Sequence, residues 1–106
     1  MEDYMIQMLN ESNFEQTIAK GIVVVDFWAP WCMPCKKMNP VIEKLAKNNP
    51  DLIVGKLDTD ESQEIARKYD IMSIPTIIIF KDGEPVEQTV GEVSEKVILE
   101  KIARVR

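Results

Sequence analysis

Ile22-Val23-Val24-Val25-Asp26-Phe27-Trp28-Ala29-Pro30-Trp31-Cys32-Met33-Pro34-Cys35-Lys36 begins as an almost continuous apolar run and ends on two closely spaced cysteines. The run from Ile22 to Trp28 is β-branched and nearly without polar alternation, the pattern of a strand buried on both faces. Pro34 suits the first turn of a following helix, where its missing N–H costs nothing. Met38, Val41, Ile42 and Leu45 continue that helix as an apolar stripe at helical spacing. Pro40 lies inside the stripe and predicts a kink in the helix, not its end, because the stripe continues past it. Asn48, Asn49 and Pro50 mark the stop.

The flanking segments follow the same logic. Met5 to Leu9 reads as a short first strand. Ser12-Asn13-Phe14-Glu15 matches a capping box for a short helix with Phe14 and Ile18 on one face, ended by Gly21. Leu52 to Asp58 is a third strand, and Asp60 is placed to cap a helix that uses Ile65, Ala66 and Tyr69. Thr76 to Phe80 is a strongly β-branched strand. Lys81-Asp82-Gly83-Glu84 carries the Asp-Gly signal of a tight hairpin, and Val86 to Val90 returns from it behind Pro85. Ser94 caps a last helix with Val97, Ile98, Ile102 and Val105 inward. The order β-α-β-α-β-α-β-β-α predicts an α/β domain with a largely parallel sheet covered by helices on both faces.

Length and composition bound the function. A chain of 106 residues with 45% hydrophobic and 29% charged content supports one compact domain spanning 1–106. Zero His removes imidazole nucleophile partners, His bases and His-containing metal sites. Two Cys make neither a disulfide scaffold nor a four-ligand zinc site within one chain, so no metal is expected. A net charge of −5 argues against nucleic acid or anionic membrane as a partner. The apolar stretch Gly21 to Cys35 is shorter than the ~20 residues of a membrane span and contains Asp26. Met1-Glu2-Asp3-Tyr4 is acidic where a secretory signal is basic, and a cytoplasmic location and a monomer are the default expectations.

The chemistry concentrates in Cys32 and Cys35, at the junction of the buried strand and the helix. Cys32 precedes the first turn, where free backbone N–H groups and the positive end of the helix dipole favour a thiolate. Lys36 and Lys37 add positive charge, and Cys35 sits inside the first turn. From the residues alone the pair reads as redox-active, as a structural disulfide, as half of a metal site shared between chains, or as two core thiols. A structural disulfide closing so short a loop would stabilise little.

The chain resembles the thioredoxin family. The resemblance is carried by Asp26-Phe27-Trp28-Ala29-Pro30-Trp31-Cys32-x-Pro34-Cys35-Lys36, the helix Pro40, Lys56 with Asp58, Ile74-Pro75-Thr76, the Gly83 hairpin and Gly91, and it extends over essentially the whole chain. It implies the thioredoxin fold, a central mixed five-stranded sheet flanked by four helices. It also implies dithiol–disulfide oxidoreductase activity with no cofactor beyond a Cys32–Cys35 disulfide, with protein disulfides as substrates and a thioredoxin reductase as electron donor. By the same resemblance Cys32 attacks a substrate disulfide and Cys35 resolves the mixed disulfide.

With no His present, Asp26 is the candidate base for Cys35. A carboxylate in so apolar a strand is costly unless paired or protonated, and burial raises its pKa toward the useful range. The plainer alternatives are an Asp in water at a strand end, or one paired with Lys for structure. Lys56 interrupts Leu52-Ile53-Val54-Gly55, and the resemblance places it beside Asp26. The resemblance also implies a cis Ile74–Pro75 peptide facing the dithiol, with the Ile74 backbone pairing to an extended substrate. Trp31, Met33, Pro34, Ile74, Pro75 and Gly91 form the expected substrate surface, bordered by Val90 and Val93. Met33 departs from the Gly usual in the reductive motif and puts oxidisable apolar surface beside the nucleophile. The absence of His between the cysteines favours a reductant over an oxidase or isomerase, and Trp-Cys-x-Pro-Cys-Lys with Asp26 points away from a glutaredoxin. A binding module with an incidental dithiol is the alternative from another class.

Overall fold

A computed structural model describes residues 6–106. The expectations for Met1 to Tyr4 and for Met5 as a strand residue lie outside the described residues. Within them the order is β1 (Ile6–Leu9), α1 (Phe14–Ile18), β2 (Ile22–Trp28), α2 (Met33–Asn48), β3 (Ile53–Asp58), α3 (Gln63–Lys68), β4 (Thr76–Lys81), β5 (Glu84–Val90) and α4 (Glu95–Val105). The strands form one sheet in the order β1-β3-β2-β4-β5. β3 runs parallel to both β1 and β2, whereas β4 is antiparallel to β2 and to β5. The sheet is therefore mixed, as the family resemblance implies, and not largely parallel, as the order of elements alone suggests. The pattern of alternating elements does not encode which way α3 returns the chain, and here it delivers β4 in the opposite sense.

β2 is central, and Val23 to Phe27 are all buried, the apolar residues as their character requires and Asp26 along with them. Alternation splits its side chains between two cores. Val24 packs with Met38, Ile42 and Leu45 of α2 and Ile98 and Ile102 of α4. Val23, Val25 and Phe27 pack on the other face with Phe14, Ile18 and Ile65. Pro40 is exposed and α2 continues past it to Asn48.

β3 lies between β1 and β2, and Gly55 is its point of closest approach. A Cβ there would stand 2.7 Å from Leu9 Cδ1 and 2.9 Å from Leu9 Cγ, and Leu9 is itself buried. Gly55→Ala is expected to destabilise the protein by about 1–3 kcal/mol through overpacking. Urea unfolding checks this, and an unchanged midpoint would refute it.

Local signals decide the structure where no competing partner stands nearby. Ser94 Oγ accepts the Val97 N–H at 3.3 Å and opens α4. Asp82 and Gly83 both have positive φ, 50° and 88°, as a two-residue hairpin turn demands. Asp82 Oδ1 also accepts the Gly21 N–H at 2.8 Å and ties the hairpin to the start of β2. This turn lets β5 begin at Glu84, so Pro85 lies inside the strand. Edge position and a register shift at Ile79/Phe80 accommodate it.

Two predicted caps are not formed. The Ser12 capping box is displaced by Asn10 and Asn13. Asn10 Oδ1 accepts the N–H groups of Ser12 and Asn13, and Asn13 Oδ1 accepts that of Asn10. The Ser12 N–H that Glu15 would accept in a capping box thus goes to Asn10, and α1 opens one residue later, with Asn13 at its N-cap. Asp60 does not cap α3, whose N-cap residue is Ser62. The Asp60 N–H donates to Asp58 Oδ1 at 2.9 Å, while its own carboxylate is taken by a distant residue of the site described below.

Candidate active site

The loop Ala29–Trp31 carries the chain from the end of β2 to the start of α2. Cys32 is the N-cap residue of that helix, in extended backbone with φ −87° and ψ 110°. Its Sγ accepts the Cys35 backbone N–H at 3.2 Å, so the sulfur occupies the place a capping oxygen would take. Pro34 stands in the first turn without cost. A disulfide joins Cys32 and Cys35, with Cα atoms 5.3 Å apart. The bridge packs with Ala29, Trp28 and Ile74. Cys35 is buried, and Cys32 is only 4% exposed. Among the described residues no group of three or more His, Cys, Asp or Glu is placed to hold a metal ion.

Two further loops close on the sulfurs. The Ile74–Pro75 peptide is cis, and the Ile74 carbonyl oxygen lies 3.8 Å from Cys32 Sγ. Gly91 donates its N–H to the Pro75 carbonyl at 2.8 Å and has φ 94°, a conformation that favours glycine. Cys32, Ile74, Pro75 and Gly91 thus converge from three loops. Trp31 and Met33 flank them, 67% and 62% exposed. The Trp31 indole N–H donates to Asp60 Oδ2 at 2.7 Å, which orients the ring across the loop. Val90 is exposed at the same end of the sheet. Val93, expected at this border, is half-buried against the core, with its N–H 3.5 Å from Met38 Sδ.

Asp26 is fully buried behind this surface, on the face of β2 that α2 covers. Among the described residues neither carboxylate oxygen has a hydrogen-bond partner. Its pKa is raised from 3.8 to about 7, chiefly by burial, with the positive charge of Lys56 working against the rise. Lys56 is the register partner of Asp26 on β3. Its ammonium nevertheless turns elsewhere. Nζ donates to Asn39 Oδ1 at 2.6 Å and stands 4.6 Å from the centre of the Trp28 ring. The expected adjacency of Asp26 and Lys56 holds in the backbone register, whereas a direct ion pair does not form.

Three residues of this region were not singled out as functional from the sequence. Asn39 lies one turn beyond Cys35 on α2, a spacing that is visible in the sequence once Cys35 is taken as a reference. Asp60 reads locally as a cap, and only the fold brings it to Trp31. Met72 is 90% exposed just before Ser73-Ile74-Pro75, where methionine reads as core filler. Of the described methionines only Met38, on the α2 stripe, is buried.

Comparison with known proteins agrees with this geometry. The family model described as Thioredoxin matches residues 5–104. A thioredoxin of Chlamydia trachomatis is 47% identical over 87 residues, covering 82% of this chain and 85% of that protein. A thioredoxin of Staphylococcus haemolyticus is 49% identical over 89 residues, covering 81% of this chain and 84% of that protein. Among solved structures, a mutant thioredoxin from Halobacterium salinarum superposes with a TM-score of 0.87 at 34% identity, covering 93% of this chain and 88% of that one. A dithiol pair at a helix N-terminus, a mixed five-stranded sheet with four helices and these relatives lead to one conclusion: the chain belongs to the thioredoxin family and is a dithiol–disulfide oxidoreductase.

Proposed function

We propose that the chain, as one domain over 1–106, reduces protein disulfides, with Cys32 as the attacking thiolate and Cys35 as the resolving thiol. The observation that carries this division is the Cys35 N–H directed at Cys32 Sγ at 3.2 Å, at the positive end of α2. That contact and the dipole stabilise negative charge on Cys32 and not on Cys35. In the reduced protein the Cys32 thiolate attacks one substrate sulfur, and the other leaves as a thiolate. Cys35 then gives its proton to the Asp26 carboxylate and attacks Cys32 Sγ. The second substrate sulfur leaves as a thiolate, and the Cys32–Cys35 bridge remains. Two electrons have passed to the substrate.

Asp26 suits its part because its pKa of about 7 lets it exist in both forms near neutral pH. Lys56 acts through Asp26 and is a positioning residue. Trp31, Met33, Pro34, Ile74, Pro75 and Gly91 form the surface for an extended substrate segment, with the Ile74 backbone as the pairing edge. We assign the return of electrons to a thioredoxin reductase, a cytoplasmic location and a monomeric state on the same reading. Among the described residues no helix is long and apolar enough to cross a membrane.

Equilibration of the Cys32–Cys35 couple against a thiol of known potential tests the direction of this chemistry. A value near about −270 mV is expected of a reductant. A value near about −120 mV would make the protein an oxidant and overturn the reading.

A further inference from the structure

Lys56 is turned away from the carboxylate that the sheet register sets beside it. Asp26 and Lys56 are partners on adjacent parallel strands, and strand alternation places both on the α2 face, with Val24 and Val54. A bare buried carboxylate beside an ammonium favours closure of the two into a pair. Instead, Lys56 Nζ is held 2.6 Å from Asn39 Oδ1 and over the Trp28 ring. Asn39 stands four residues beyond Cys35 on α2, on the same side of the helix. The residue that holds the ammonium therefore rides on the helix that carries the resolving sulfur.

We propose that Asn39 is a positioning residue that holds the Lys56 ammonium off Asp26 and thereby sets the pH range over which Asp26 takes the Cys35 proton. The proposal rests on the role of Asp26 given above. Among the described residues, the other groups around Asp26 do not supply a competing cation. β3 adds Asp58 on the same face, and its Oδ1 already accepts the Asp60 N–H. α2 contributes Glu43 to the neighbouring cavity, and β4 pairs the uncharged Ile77 with Asp26. Glu43 borders, with Trp28, Asn39 and Lys56, a cavity of about 330 Å³ beside this face. Loss of the Asn39 acceptor frees the Lys56 side chain, which borders this space, to turn toward Asp26, its register partner. The carboxyl group, raised mainly by burial and lowered by Lys56 in its withdrawn position, would then be lowered further.

The test follows the Asp26 carboxyl carbon by NMR through a pH titration of the disulfide form, with Asp26→Asn identifying the signal. Asn39→Ala is expected to lower the midpoint by about one pH unit, as for a carboxylate that gains a near cation. The pH profile of mixed-disulfide release should move by the same amount. Lys56→Met should raise the midpoint, and Asn39→Ala added to Lys56→Met should then change nothing. An unmoved midpoint in Asn39→Ala overturns the proposal, as does a shift that persists without Lys56. Lower unfolding stability with an unmoved midpoint belongs to the first of these outcomes. A moved midpoint with an unmoved release profile supports the hold on Lys56 and overturns the role of Asp26 in the exchange.

Discussion

Cys35→Ser is expected to leave the protein covalently joined to its substrates and to slow turnover on the order of 10³-fold or more. The size of the effect follows from proximity. A resolving thiol three residues away on the same helix acts at a high effective concentration, and an external thiol at millimolar levels is a weak replacement. The Ser hydroxyl cannot take its place, because it is far less acidic and does not form the bond to sulfur that exchange requires. The fold should survive. Ser is small, and the contact from position 35 to Cys32 Sγ comes from the backbone N–H, which the substitution keeps. Mass spectrometry under non-reducing conditions should find an adduct on Cys32 that dithiothreitol releases. Cys32→Ser should form none. An adduct formed through Cys35 in Cys32→Ser, with equal yield, would reverse the roles assigned to the two sulfurs.

The features that were legible in advance share a physical character: they are set by the chain's immediate neighbours. The β-branched run Ile22–Trp28 leaves no polar face, so it reads as a central strand wherever the helices fall. Cys32 reads as a cap because Pro34 places the first turn, and the apolar stripe of α2 continues through Pro40. Ser94 and Asp82-Gly83 satisfy requirements confined to four residues. The features that were missed are choices among partners that tertiary placement decides. Asp60 has a carboxylate able to cap α3 or to accept from an indole, and the indole of Trp31 arrives only after β2 and β3 have paired. The resemblance places Lys56 beside Asp26, and α2 offers Asn39 as a second acceptor that only the fold reveals. The antiparallel return of β4 is not written in the element order either, since a helix between two strands does not state the direction of the second, and the mixed sheet follows from the family resemblance instead. The cis Ile74–Pro75 peptide was expected from family resemblance alone, as no local propensity marks it.

Asp26→Asn is expected to raise the stability of the disulfide form by about 4 kcal/mol at pH 8 and to leave it nearly unchanged at pH 4. The sign comes from the direction of the shift. In the folded protein the carboxyl has a pKa of about 7, above its ordinary value of 3.8. Below pH 3.8 both folded and unfolded chains hold the proton, and the group adds no pH-dependent penalty. As pH rises from there toward 7, the unfolded chain ionises freely while the buried group cannot, so stability falls. Above 7 both states are ionised and the loss is complete, at roughly three pH units of differential binding. Asn has the volume of the protonated carboxyl and is likewise neutral, so the variant matches the native protein only at low pH. Urea unfolding between pH 4 and pH 8 measures the effect, and parallel curves for the two proteins would refute it. The same variant should resolve mixed disulfides more slowly near neutral pH, because its amide cannot take the Cys35 proton. A protein selected only for stability would have no reason to keep an ionisable group in this strand. The cost of ionising Asp26 is thus the physical counterpart of its use: burial that makes the charge unfavourable is what brings its proton affinity to the pH at which Cys35 must be deprotonated.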